Sequence, residues 1–253
     1  ISEVTAHAQL TPSILEAVRQ EPELTRKLLG TGGCWLLFDI LFYGNTLFQP
    51  IVLESAFGKE DETVRKAARD SALIASLALP GYLMSVVMIG RQSPRYIQLQ
   101  GFAVMTFLYA CIASFFDSMG DRRGLLLIVY GSTFFFSNYG PNATTFMLPA
   151  MTFSKRCRST LNGVCAACGK VGALVGSIVF VEAVHEYGQV IVFWTCAVLS
   201  LVGCVVTAFC VETGPSSDNE ADLKMLQQGD RVQKASWRDR LRVPSVYSMP
   251  SIF

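Results

Sequence analysis

The chain has 253 residues, 51% of them hydrophobic and 16% charged, with a formal net charge of +1. A soluble chain of this length would form one or two domains, but its apolar residues are pooled into long uncharged runs. The near-neutral charge points to no class of partner, and no nucleophile triad, phosphate loop, metal-ligand spacing or nucleic-acid motif is present, so neither an enzyme nor a cofactor site is expected.

Residues 1–27 are polar. A short helix is expected over Thr11–Arg26, with Pro12 suited to its first turn; the segment reads as a cytoplasmic approach to the membrane. The chain opens at Ile1 and not at a methionine, and it is expected to be a fragment. Six stretches then follow, each near the 20 residues needed to cross a hydrocarbon core of about 30 Å. The expected spans are 28–53, 71–90, 97–116, 124–150, 160–182 and 189–211. Residues 71–90, 97–116, 124–154 and 187–211 lack Asp, Glu, Lys, Arg and His, while Leu28–Leu53 holds Asp39 and Ser159–Val181 holds Lys170. The fold class is therefore an all-α membrane protein with six transmembrane helices over 28–212. Residues 213–253, rich in Gly, Pro, Ser and charge, are expected to be a disordered cytoplasmic tail.

Short connections at 91–96, 155–158 and 183–186 require neighbouring spans to run antiparallel. Six spans put both ends on one side, which carries fourteen Lys and Arg against six on the other. By the positive-inside rule both termini are cytoplasmic. Pro80-Gly81 and Gly140-Pro141 fall mid-span and should kink their helices. Such breaks are tolerated where other helices or a cavity satisfy the freed backbone groups.

Asp39 lies about twelve residues into its span and Lys170 about ten into another, so both sit roughly 15–17 Å deep at 1.5 Å per residue. A charge there costs about 2.5–3.5 kcal/mol on the most lenient scale and usually faces a cavity or a partner. Trp35, Asp39 and Tyr43 fall at i, i+4 and i+8 and project along one helix face. That face offers an indole N–H, a carboxylate and a phenol. Asn138 comes near mid-depth in the fourth span. A phosphate needs several donors and a compensating cation, and Lys170 is the embedded cation. An acid in the same site repels a divalent anion unless protonated, which would couple phosphate to a proton through Asp39.

Other readings fit the same residues. Asp39 and Lys170 also suit a static interhelical ion pair. Asn138 and Asn142 also suit bridging of the helix broken at Pro141. Gly172-x-x-x-Gly176 is a small-residue pattern for close helix packing, and Cys165 with Cys168 reads as small packing residues within an apolar span.

Several motifs resemble the phosphate:proton symporters of the major facilitator superfamily. Leu28-Leu29-Gly30-Thr31, Trp35 through Tyr43 and Leu47-Phe48-Gln49 are similar to that family's seventh helix. Leu79-Pro80-Gly81-Tyr82 resembles its eighth, and Ile97-Gln98-Leu99 with Gly101-Phe102 the start of its ninth. Asn138 through Phe146 resembles its tenth, and Arg158-Ser159-Thr160 with Ala166-Ala167 and Gly169-Lys170 its loop and eleventh helix. The resemblance covers residues 28–212. It implies the carboxy-terminal six-helix half of a twelve-helix carrier, partnered by an amino-terminal half, with inorganic phosphate and protons as cargo. Trp35, Asp39, Tyr43 and Asn138 would line the phosphate site, with Lys170 as the cation near Asp39. The plasma membrane is the expected location. The chain departs from the pattern at Met151, where Glu is usual, at Ser154, where Pro is usual, and in the loop Gly90–Arg95, which lacks an acid. A carrier of another small solute, such as a sugar or organic ion, is the alternative within transport. A non-transporting sensor or degenerate half-transporter is the alternative outside it. By itself the 253-residue chain is not expected to transport.

Overall fold

The computed structural model describes residues 14–57, 64–120 and 123–212. The expected tail over 213–253 lies outside these residues. All regular structure in them is helical: α1 (Ile14–Arg19), α2 (Leu24–Leu28), a π turn (Leu29–Gly33), α3 (Cys34–Phe57), α4 (Val64–Ile89), α5 (Pro94–Gly120), α6 (Arg123–Tyr139), α7 (Pro141–Thr152), α8 (Arg158–Tyr187) and α9 (Gln189–Cys210). Among the described residues, five segments are long and apolar enough to cross a membrane: Leu24–Leu53, Ala72–Ile89, Pro94–Phe116, Arg158–Tyr187 and Gln189–Cys210.

The remaining apolar stretch, expected as one span over 124–150, is built from two helices. α6 has 17 residues and α7 has 12, each too short to cross a hydrocarbon core unaided. The break falls at Gly140 (φ −98°, ψ −109°), with Pro141 opening α7. Proline has no N–H to give and its ring clashes with the turn before it, so the helix restarts there, where a proline is favoured. Pro80 behaves differently. α4 runs through it as one helix, and the absent side chain of Gly81 lets the carbonyl of Phe135 on α6 come close.

The approach segment also differs from expectation. The single helix expected over Thr11–Arg26 is two helices in its described part, because Pro22 disfavours helix in the residue before it. Glu23 then turns the chain with a left-handed backbone (φ 52°) before α2.

Packing follows membrane rules, in which small residues and polar contacts replace the hydrophobic drive between helices. The closest pair is α3 with α8, followed by α9 with α5, then α4 and α5 with α6. A Cβ at Gly172 would collide with the Leu36 carbonyl, and one at Gly176 with that of Ile40. Gly101 of α5 and Gly140 meet backbone to backbone. One buried core is centred on Phe193, whose ring lies 5.2 Å from Phe48, 5.7 Å from Phe116, 6.1 Å from Tyr130 and 6.4 Å from Tyr109. Leu79, Leu83 and Val86 on α4 and Leu174 and Ile178 on α8 are exposed instead. Apolar surface this extensive suits lipid or another protein face and not water.

Candidate functional site

The glycine-lined crossing of α3 and α8 carries Asp39 and Lys170 to the same place. At Gly169 an added Cβ would lie 2.5 Å from Trp35 Cδ1 and 3.0 Å from Asp39 Oδ2. The missing side chain is therefore what lets Trp35 and Asp39 lie directly on α8 one residue before Lys170. The Trp35 indole hydrogen-bonds to the Asp39 carboxyl, and the Lys170 charge acts on the same group. Asp39 is buried and Trp35 half-buried, while Tyr43 and Lys170 are exposed.

Lys170 Nζ sits 5.7 Å from the centroid of the Tyr43 ring, an attraction between a cation and the negative ring face. Among the described residues no ion pair within 4.0 Å joins it to Asp39. The Lys170 charge thus acts on Asp39 without an ion pair locking the two together.

Asn138 belongs to a different set of contacts. It is buried, its Nδ2 donates to the Ala78 carbonyl at 3.1 Å, and its Oδ1 accepts from Asn142 Nδ2 at 2.8 Å. Asn142 Nδ2 also donates to Tyr82 Oη at 2.6 Å. These bonds bridge the break at Gly140 and tie it to α4. One ring contact connects this set to the first: Phe146, one turn beyond Asn142, meets Trp35 edge-on at 6.1 Å.

Two buried polar networks had no signal in the sequence beyond polar residues inside apolar runs. Asn45 donates to Tyr109 Oη and accepts from Tyr130 Oη at 3.0 Å. Gln98 donates to Thr207 Oγ1 at 2.9 Å and accepts from Thr144 Oγ1 at 2.7 Å. Each joins helices distant in sequence, and buried amides of this kind require partners.

A third cluster lies where the approach segment docks on the bundle. Glu21 Oε1 accepts from Lys27 Nζ at 2.8 Å, and its Oε2 accepts from Ser154 Oγ at 2.6 Å and Cys157 Sγ at 3.2 Å. Ala17, Phe153, Cys157, Leu161 and Cys165 pack beneath it. Burial by itself would raise the Glu21 carboxyl, but hydrogen bonds from Lys27, Ser154 and Cys157 and the Lys27 charge hold it below its usual value. Burial pushes the Cys157 thiol up, so it stays protonated and donates. Ser154 is one of the positions that departs from the resemblance, and its hydroxyl supplies a contact that a proline side chain cannot. Because the folded Glu21 titrates below the unfolded group, its contribution is complete above the ordinary glutamate range and disappears as pH falls through the folded value. Glu21→Gln should weaken docking by about 1–3 kcal/mol, the cost of an unmatched buried polar group. The check is faster proteolysis within residues 14–23; an unchanged rate would dismiss the cluster as an anchor.

Apolar helices of membrane length, polar networks between them and charges held inside define a multi-pass integral membrane protein. The family described as Sugar (and other) transporter matches residues 40–216, and the chain belongs to that family of the major facilitator superfamily, whose members are transporters and not enzymes. The chain is 42% identical over 170 residues to the low affinity inorganic phosphate transporter 1 of Petunia hybrida, a match covering 63% of this chain and 32% of that protein. It is 34% identical over 196 residues to the inorganic phosphate transporter PT2 of Toxoplasma gondii, covering 76% of this chain and 34% of that protein. The chain thus spans about a third of the length of these relatives.

Proposed function

We propose that this chain supplies one wall of a carrier that moves inorganic phosphate together with protons by alternating access, and that it forms the carboxy-terminal six-helix half. The observation that carries the reading is the meeting of Trp35, Asp39 and Lys170 at Gly169, with Lys170 resting on Tyr43 and not bonded to Asp39. The names of the relatives support phosphate as the cargo.

In this mechanism the Trp35 indole, freed from Asp39 when that carboxyl takes its proton, and the Tyr43 hydroxyl donate to the phosphate oxygens, and Lys170 balances their charge. Asn138 lines the same site. An ionised Asp39 opposes a divalent anion, so its protonation accompanies phosphate entry and its proton leaves with the cargo. Rocking of this half against an amino-terminal half exposes the site to each side in turn. Both termini would be cytoplasmic and the membrane the plasma membrane.

The test is uptake of labelled phosphate into liposomes containing the full-length polypeptide that includes this chain. Uptake should rise when the outside is acidified and collapse with a protonophore. Arsenate should compete and sugars should not. Phosphate-insensitive uptake of a sugar would replace the substrate, and phosphate uptake by residues 1–253 unaided would remove the half-carrier reading.

A further inference from the structure

The contacts around the break at Gly140 have a determined polarity. The Ala78 oxygen is a backbone carbonyl and can only accept, so the group that Asn138 turns toward it is the NH2. Asn138 Oδ1 then faces Asn142, which must offer its own NH2, and this same NH2 donates to Tyr82 Oη. Since the Tyr82 oxygen accepts, the hydroxyl hydrogen is turned away from the network. Tyr82 is 41% exposed, and Phe146, one turn beyond Asn142, meets the ring of Trp35.

We propose that Tyr82 is a further donor to the transported oxyanion, with Asn142 as the positioning residue that keeps its hydrogen free for that bond. The proposal rests on the phosphate reading above. It adds a donor from α4 to those on α3, so that the anion is gripped from two helices. The unprotonated oxygens of phosphate accept, which matches a site whose polarity is set toward donation by one backbone carbonyl.

The experiment measures labelled phosphate uptake by the full-length polypeptide carrying Tyr82→Phe, Asn142→Ala and both together, with the melting temperature of each purified protein. Tyr82→Phe keeps the ring and should raise the phosphate KM about tenfold, the usual consequence of losing a hydrogen bond to a charged group. Its maximal rate and melting temperature should stay near wild type. Asn142→Ala should raise KM several-fold, and the double variant should be no worse than the more affected single one, since both changes remove the same donor. A wild-type KM in Tyr82→Phe, or a reduced rate with a lowered melting temperature and unchanged KM, overturns the assignment while leaving phosphate transport intact. A wild-type protein that takes up no phosphate overturns both readings.

Discussion

Replacing Asp39 by Asn in the full-length carrier is expected to reduce acid-driven phosphate uptake to below roughly a tenth of wild type, a loss of more than about 1.4 kcal/mol of coupling. The side chain keeps its size, so the fit against Gly169 is preserved and the protein should still fold. On the proposed mechanism, what disappears is the charge that Lys170 faces and the group that takes up and releases a proton. On that mechanism phosphate entry is then no longer tied to acid outside. Any residual uptake should therefore be flat across external pH. The measurement is labelled uptake at several external pH values, with counterflow of phosphate as a companion. Counterflow does not need net proton movement, so it should survive better than acid-driven uptake. A pH profile in the variant that matches wild type would remove Asp39 from the mechanism.

The second large effect concerns the α3–α8 crossing. Gly176→Val places a branched side chain against the Ile40 carbonyl, where even a single Cβ has no room. Backbone cannot move aside as a flexible side chain can, so the helices must separate. Overpacking costs about 1–3 kcal/mol in general, and the upper end is expected here. Separation would also draw Lys170 away from Tyr43 and Asp39, so transport should fall even in the protein that remains folded. Gly163→Ala on the same helix is the control, because a Cβ there meets nothing within 4 Å. Thermal unfolding in detergent should show a large drop for Gly176→Val and none for Gly163→Ala. Equal melting temperatures would show that the crossing does not limit stability.

Much of the architecture was legible because a bilayer constrains sequence so strongly. Charge-free runs near twenty residues long can do little else than cross it, and an acid and a base kept within them stand out. The i, i+4, i+8 spacing was enough to align Trp35, Asp39 and Tyr43 along one helix, and Gly172-x-x-x-Gly176 marked a close crossing. Neither pattern names the partner helix. Spacing within one helix says nothing of which helix lies opposite, and the ion pair and the open site were equally compatible with it.

The rest depended on contacts between residues far apart in the chain. Glu21 meets Lys27, Ser154 and Cys157 only because Pro22 breaks the expected helix and folds the segment back on the loop after α7. Asn138 bonds to Ala78 and Asn142 and is linked to the Trp35 strip through the ring of Phe146, contacts that no spacing along one helix specifies. The sequence by itself determined an all-helical membrane protein with a charge of each sign inside, because the cost of burying polar groups in hydrocarbon acts on every residue locally. The tertiary structure decided that these charges come near each other without pairing, because that depends on how closely α3 and α8 approach, and glycines at 169, 172 and 176 set the approach.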